Sequence, residues 1–328
     1  MKLATYHDGS RDGQLVVVSR DLASAHFATG IATRMQQLLD DWNFVSPQLE
    51  DLYATLNGGK ARHAFAFEPA KCMAPLPRAH QWVVGAAYPG HVERLARGRG
   101  VEVAPDLHDA PALRRGAGDH FLGACDEARF VDEQAGIDVE VGLVAMTGDV
   151  ARGADAARAL DGVRMLLLAA DWSLRHPPHG AGAPGAAPLC AYPATAFAPV
   201  AVTPDELGDA WQRGRVCLNV ELAVNGKRIG RVDAADGMAF DFGRLAARRA
   251  GVRALGAGGV VGAGPASQAD ASRGFACLAE KRALEALEQG APRTAYLRFG
   301  DRVRAEVRRR DGQSVFGAIE QAVAAYVA

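Results

Sequence analysis

Short apolar runs broken by turn signals dominate the chain, and they predict strands more often than helices. Leu15-Val16-Val17-Val18 reads as a strand entered from the turn Asp12-Gly13. Two helical stretches follow, Ile31 to Trp42 and Pro47 to Leu56, the second closed by Gly58-Gly59. Pro75 and Pro77 flank Leu76 in a plausible linker, so residues 1–74 form a small module and residues 78–328 a larger one. In the larger part, Ile137 to Met146 and Met165 to Ala170 are strand-like. Val216 to Val224 and Arg228 to Val232 flank Asn225-Gly226, a strong hairpin signal. Leu297 to Val307 reads as a further strand, with a turn at Asp311-Gly312. Helices are expected at Ala151–Leu160, Pro204–Arg213 and Phe242–Ala250, with Thr203 as N-cap and Pro204 in the first helical position. Strands do not alternate regularly with long helices, which disfavours a doubly wound parallel sheet. His179 to Pro188, HGAGAPGAAP, is the most loop-like stretch.

Composition narrows the class without naming a chemistry. With 328 residues, 49% hydrophobic and 23% charged, the chain suits a small and a larger globular domain. No apolar run reaches a membrane span, and the N-terminus lacks the apolar core of a signal peptide, so a cytoplasmic protein with no membrane partner is expected. Lys and Arg total 37 against 38 Asp and Glu, a balance that gives no electrostatic reason to expect nucleic acid. Lysine is scarce beside arginine, the bias of a GC-rich bacterial source. Cys72, Cys125, Cys190, Cys217 and Cys277 are odd in number and lack C-x-x-C spacing, against a disulfide framework or structural zinc.

Val260-Val261-Gly262-Ala263-Gly264-Pro265-Ala266-Ser267 imitates the start of a dinucleotide-binding loop. That motif requires a helix directly after it, and Gln268 to Gly274 is polar and broken. A glycine-rich turn beside a core strand is the better reading.

Other segments resemble the fumarylacetoacetate hydrolase family in its longer bacterial form with an extra N-terminal domain. They are Ser10 to Arg20, Asp119-His120-Phe121-Leu122-Gly123, Gly136-Ile137-Asp138-Val139-Glu140, Asp171-Trp172-Ser173-Leu174-Arg175, Pro193 to Val200 and Asp311 to Ile319. The resemblance implies a mixed, mainly β fold: a β-sandwich roll behind a small N-terminal α+β domain, usually as a homodimer. It implies a small keto or enol acid as substrate and a divalent cation, magnesium or calcium, held by four carboxylates. Hard cations of this kind want oxygen donors.

Carried over by position, the family's catalytic histidine is His91, a general base. Of the four metal ligands, Glu140 and Asp171 are present, but the other two positions hold Val84 and Gly142. The substrate-polarising lysine is replaced by Tyr192, a threonine by Pro265, and the loop HGAGAPGAAP carries no acid, while Glu280 matches a family glutamate near the site. Asp138 shares a strand face with Glu140 but lies about 6.6 Å along it, too far to substitute for a residue at 142. Glu140 and Asp171 are then expected to face one cleft, one of them with a raised pKa. Nothing visible in the sequence orients His91. Cys190 has no basic neighbour to make it a nucleophile.

Three readings stay open: an enzyme with redirected chemistry, needing metal weakly or not at all, a metal-dependent carbon–carbon bond hydrolase, and a non-catalytic homologue that binds a ligand or partner. Any metal would rest on Glu140 and Asp171. The candidate catalytic residues are His91, Glu140, Asp171, Tyr192 and Glu280.

Overall fold

The computed structural model describes residues 1–176 and 191–327. The loop at 179–188 and Cys190 therefore lie outside the described residues. No described helix is long and apolar enough to cross a membrane.

Two long antiparallel strands, Ile137–Thr147 and Val163–Leu174, form the spine of an 11-stranded sheet. They are buried on both faces, and each face is used differently. Val139, Val141, Leu143, Leu166, Leu168 and Trp172 pack into a core shared with Val220, Leu222, Val303 and Val307 of the second, five-stranded sheet. This is the β-sandwich. On the opposite face Val144, Met146, Met165 and Leu167 pack with Leu38, Leu39 and Leu49 of the N-terminal helices. The same face turns polar toward Asp138, Glu140, Asp171 and Ser173, because side chains two residues apart share a face.

The N-terminal module continues the large sheet. Lys2–Tyr6 pairs with the short strand Ala201–Val202, which pairs with Val163–Leu174. The Asn225-Gly226 hairpin forms between Asn219–Val224 and Lys227–Asp233, with φ of 50° and 75° at the two turn residues, as a type I′ turn demands.

Several expected elements are corrected. The helix from Pro204 stops at Leu207, because Gly208 takes φ 55° and a short strand, Trp211–Gln212, follows. Thr203 occupies the N-cap position without capping; its hydroxyl bonds the carbonyl of Met1. The helix placed at Ala151–Leu160 begins only at Ala156, where Asp155 caps it. Pro47 lies inside a helix, Trp42–Asn57, instead of starting one, and the preceding helix is only Met35–Asp40. The strand placed at Leu297 starts at Arg302. Helices Pro89–Arg99 and Leu278–Gln289 were not anticipated, and both carry site residues. Gly259–Gly262 is a core strand with no helix after it, as the rejection of a dinucleotide loop requires.

Lys2 is 1% exposed, and its ammonium donates to the carbonyl of Val315 at 3.0 Å. Burial pushes its pKa down to about 8 from an ordinary 10.5. The folded protein therefore binds fewer protons than the unfolded chain between those values, and stability rises with pH across that window. The full rise is ~3 kcal/mol. Denaturant titrations from neutral pH to about pH 10 should show it in the wild type and lack it in Lys2→Met; parallel curves would refute it.

Candidate active site

The long strands place Glu140 directly opposite Asp171, and both carboxylates are 6% exposed. Directly opposed like charges destabilise a sheet unless something neutralises them. Two guanidiniums do so here. Arg175 Nη2 lies 2.8 Å from Glu140 Oε1 and 2.7 Å from Asp138 Oδ2. Arg114 donates from Nη2 to Asp171 Oδ2, and the same nitrogen is 3.9 Å from Glu140 Oε2. Thr195 Oγ1 donates to Asp171 Oδ1 at 2.7 Å. Tyr192 donates weakly to Glu140 Oε1 at 3.4 Å, and its ring lies 3.4 Å from the Arg114 guanidinium carbon. The pair splits as opposed carboxylates should. Burial raises the Asp171 pKa more than Arg114 lowers it, and Glu140 adds to the rise. Burial also pushes Glu140 up, but Arg175, Arg114 and His91 outweigh it and leave it below the ordinary value.

Asp138 has a structural role. Its carboxylate accepts from the backbone N–H groups of Leu278 at 2.8 Å and Ala279 at 2.9 Å, closing the N-terminus of helix Leu278–Gln289 from a neighbouring strand.

Helix Pro89–Arg99 supplies His91, with Pro89 in its first turn. It packs closely on Leu278–Gln289: a β-carbon on Gly98 would come within 2.7 Å of that of Ala283. This approach brings His91 Nδ1 to 2.8 Å from Glu280 Oε2. The ring is oriented after all, by a glutamate 189 residues away in sequence. The other oxygen of Glu280 accepts from Ser267 Oγ at 2.7 Å and from Arg94. Burial raises the Glu280 pKa, but His91, Ser267 and Arg94 together bring it below the ordinary value. Cys277 lies beside His91 and Glu280, and burial holds its thiol protonated.

His91, Glu140, Asp171, Tyr192 and Glu280 thus form two linked clusters. Sequence reasoning missed the arginines and Thr195. Strand alternation could have found Arg175, two residues beyond Ser173 and four beyond Asp171; nothing local marks Arg114.

These residues do not fit a hard dication. Val84 and Gly142 bring no donor, and the oxygens of Glu140 and Asp171 already face cations or hydroxyls. The space between them is a cavity of about 10 Å³ lined by Val84, Glu140, Gly142, Asp171, Gly264 and Pro265, room for a single water at most. A glutamate at 142 has no space either, since its β-carbon would lie 2.0 Å from the Gly264 carbonyl oxygen.

Residues 1–78 match the family model described as fumarylacetoacetase N-terminal domain 2, and residues 80–324 that of the fumarylacetoacetate (FAA) hydrolase C-terminal domain. No curated protein matches. Among solved structures, maleylpyruvate hydrolase from Sphingobium sp. SYK-6, in complex with manganese(II) and pyruvate, is 16% identical with a TM-score of 0.65, covering 100% of both chains. Fumarylacetoacetate hydrolase from Exiguobacterium antarcticum is 16% identical with a TM-score of 0.65, covering 99% of this chain and 100% of its own. The 5-carboxymethyl-2-hydroxymuconate delta-isomerase from Mycobacterium smegmatis is 16% identical with a TM-score of 0.59, covering 100% of both. At such identities the likeness establishes the fold.

Gly142→Glu, which puts a carboxylate at a position where the resemblance implies one, is expected to destabilise the protein by ~1–3 kcal/mol through overpacking and to leave metal binding unchanged. Thermal melts with and without manganese check this. A melting temperature raised by the metal in the variant alone would refute it.

Proposed function

We propose a function that starts from descent: this chain belongs to the fumarylacetoacetate hydrolase family. It acts on a small keto or enol acid by proton transfer and needs no resident divalent cation. The observation that carries this reading is the buried His91–Glu280 pair beside carboxylates already neutralised by arginine. With Nδ1 donating to Glu280, the His91 Nε2 is the basic nitrogen. It removes a proton from the carbon next to the substrate carbonyl and returns it at another position, and Glu280 steadies the imidazolium that forms between the two steps. Isomerisation, dehydration and cyclisation begin with that step; decarboxylation would break the carbon–carboxylate bond first, and the carbon would then take a proton from the protonated base. A homodimer in the cytoplasm is the setting this reading assumes.

The narrow cavity favours a second reading, a non-catalytic homologue that holds a ligand or a partner subunit.

Proton NMR in D₂O separates the readings by following deuterium entry next to the carbonyl, and product formation, in a panel of 2-keto acids. The expected result is turnover unchanged by EDTA and reduced ~10²–10⁴-fold in His91→Ala. Turnover that EDTA abolishes and manganese restores would replace this reading with a metal-dependent hydrolase. Binding of a keto acid with no exchange would favour the non-catalytic homologue.

A further inference from the structure

We propose that Arg114 is a tethered cation that takes the place of the family's divalent ion and keeps that ion out. The assignment rests on the metal-free reading above but concerns a separate property, the site's affinity for metal.

Arg114 lies on the short edge strand Leu113–Arg115, directly opposite Val84 on the strand Trp82–Gly85. Position 84 is one of the two where an expected ligand is missing. An aspartate there would add a further anion beside Glu140 and Asp171; valine adds none, and Arg114 and Arg175, the latter shared with Asp138, meet the carboxylates present. Arg114 bonds Asp171 and lies 3.9 Å from Glu140, while Arg175 holds the far side of Glu140. Tyr192 completes the arrangement. Its ring lies 3.4 Å from the guanidinium carbon, where a lysine would repel it, and cation–π attraction strengthens when water is excluded. Arg114 Nη1 is buried and has no partner among the described residues. The guanidinium is thus fixed by its Nη2 contacts and by the ring. A metal ion entering between Glu140 and Asp171 would have to displace Arg114 from its ion pair with Asp171 and from the Tyr192 ring.

The test measures manganese(II) binding to purified, chelator-treated full-length protein, by electron paramagnetic resonance of free Mn²⁺ and by calorimetry. The wild type is expected to show no saturable binding at millimolar Mn²⁺. Arg114→Ala is expected to bind Mn²⁺ roughly tenfold or more tightly than that limit, and adding Asp171→Asn is expected to abolish the gain. Arg114→Gln, which keeps an amide donor for Asp171 without the charge, is read in parallel in case the alanine variant does not fold; circular dichroism reports folding. Wild type that binds Mn²⁺ as tightly as the variants would overturn the assignment. So would a folded Arg114→Ala or Arg114→Gln that binds none, or unfolding of both that Mn²⁺ does not reverse. Turnover plays no part here. A gain of metal binding on loss of Arg114 upholds the assignment even if no keto acid is converted.

Discussion

Two carboxylates on neighbouring strands, face to face and out of water, set the terms for the rest of this site. Glu140 and Asp171 are register partners in the long hairpin. Side chains so placed lie about 5 Å apart, and two unit charges at that spacing repel by ~3 kcal/mol at an effective dielectric of 20. Burial adds a desolvation penalty for each. The strands cannot slip to relieve this, because a one-residue shift would carry Val139, Val141, Leu168 and Trp172 out of the sandwich core. The charge must be met by cations, and the elements that deliver Arg114 and Arg175 are tied to that requirement. So are the smaller contacts: Thr195 takes the Asp171 oxygen that Arg114 leaves, and Tyr192 covers the guanidinium.

A second constraint fixes the His91–Glu280 pair relative to the first. Asp138 sits on the same strand face as Glu140 and receives the first backbone N–H groups of helix Leu278–Gln289. Glu280 follows in the first turn of that helix. The strand that carries one carboxylate cluster therefore sets where the other begins. Arg175 bridges Asp138 and Glu140, so the cap and the clamp share a cation. The close packing at Gly98 and Ala283 then leaves His91 little freedom to leave Glu280. A base held by a buried carboxylate keeps one tautomer and one orientation, which is what proton transfer from carbon needs.

Much of the scaffold was legible in the sequence. The runs at Leu15, Ile137 and Met165 and the Asn225-Gly226 turn carry their geometry locally. The failures have physical causes as well. Pro204 and Thr203 gave a sound start signal for a helix that Gly208 ends after one turn. Helix Leu278–Gln289 has no side-chain cap of its own, because its cap comes from Asp138, 140 residues earlier. In the site, resemblance pointed to His91, Glu140, Asp171, Tyr192 and Glu280, and alternation could have pointed to Arg175. Arg114 was not legible. Its strand is only three residues long, and it meets Asp171 from a strand four places away in the sheet.

The proposed exchange of a dication for guanidinium also changes what kind of site this is. A bound metal can leave, and its affinity follows the protonation of its ligands. An arginine stays charged throughout the ordinary pH range and cannot dissociate, so the field at Glu140 and Asp171 is fixed by the fold. What is lost is the ion's exchangeable coordination, the open positions that hold a chelating substrate. A dication carries that function in the same atom as its charge. On the reading proposed above the two are separated: the charge resides in Arg114 and Arg175, and proton transfer falls to His91 and Glu280 in the adjoining cluster. Chemistry that relies on placing a base suits such a site better than chemistry that relies on polarising two substrate oxygens at once.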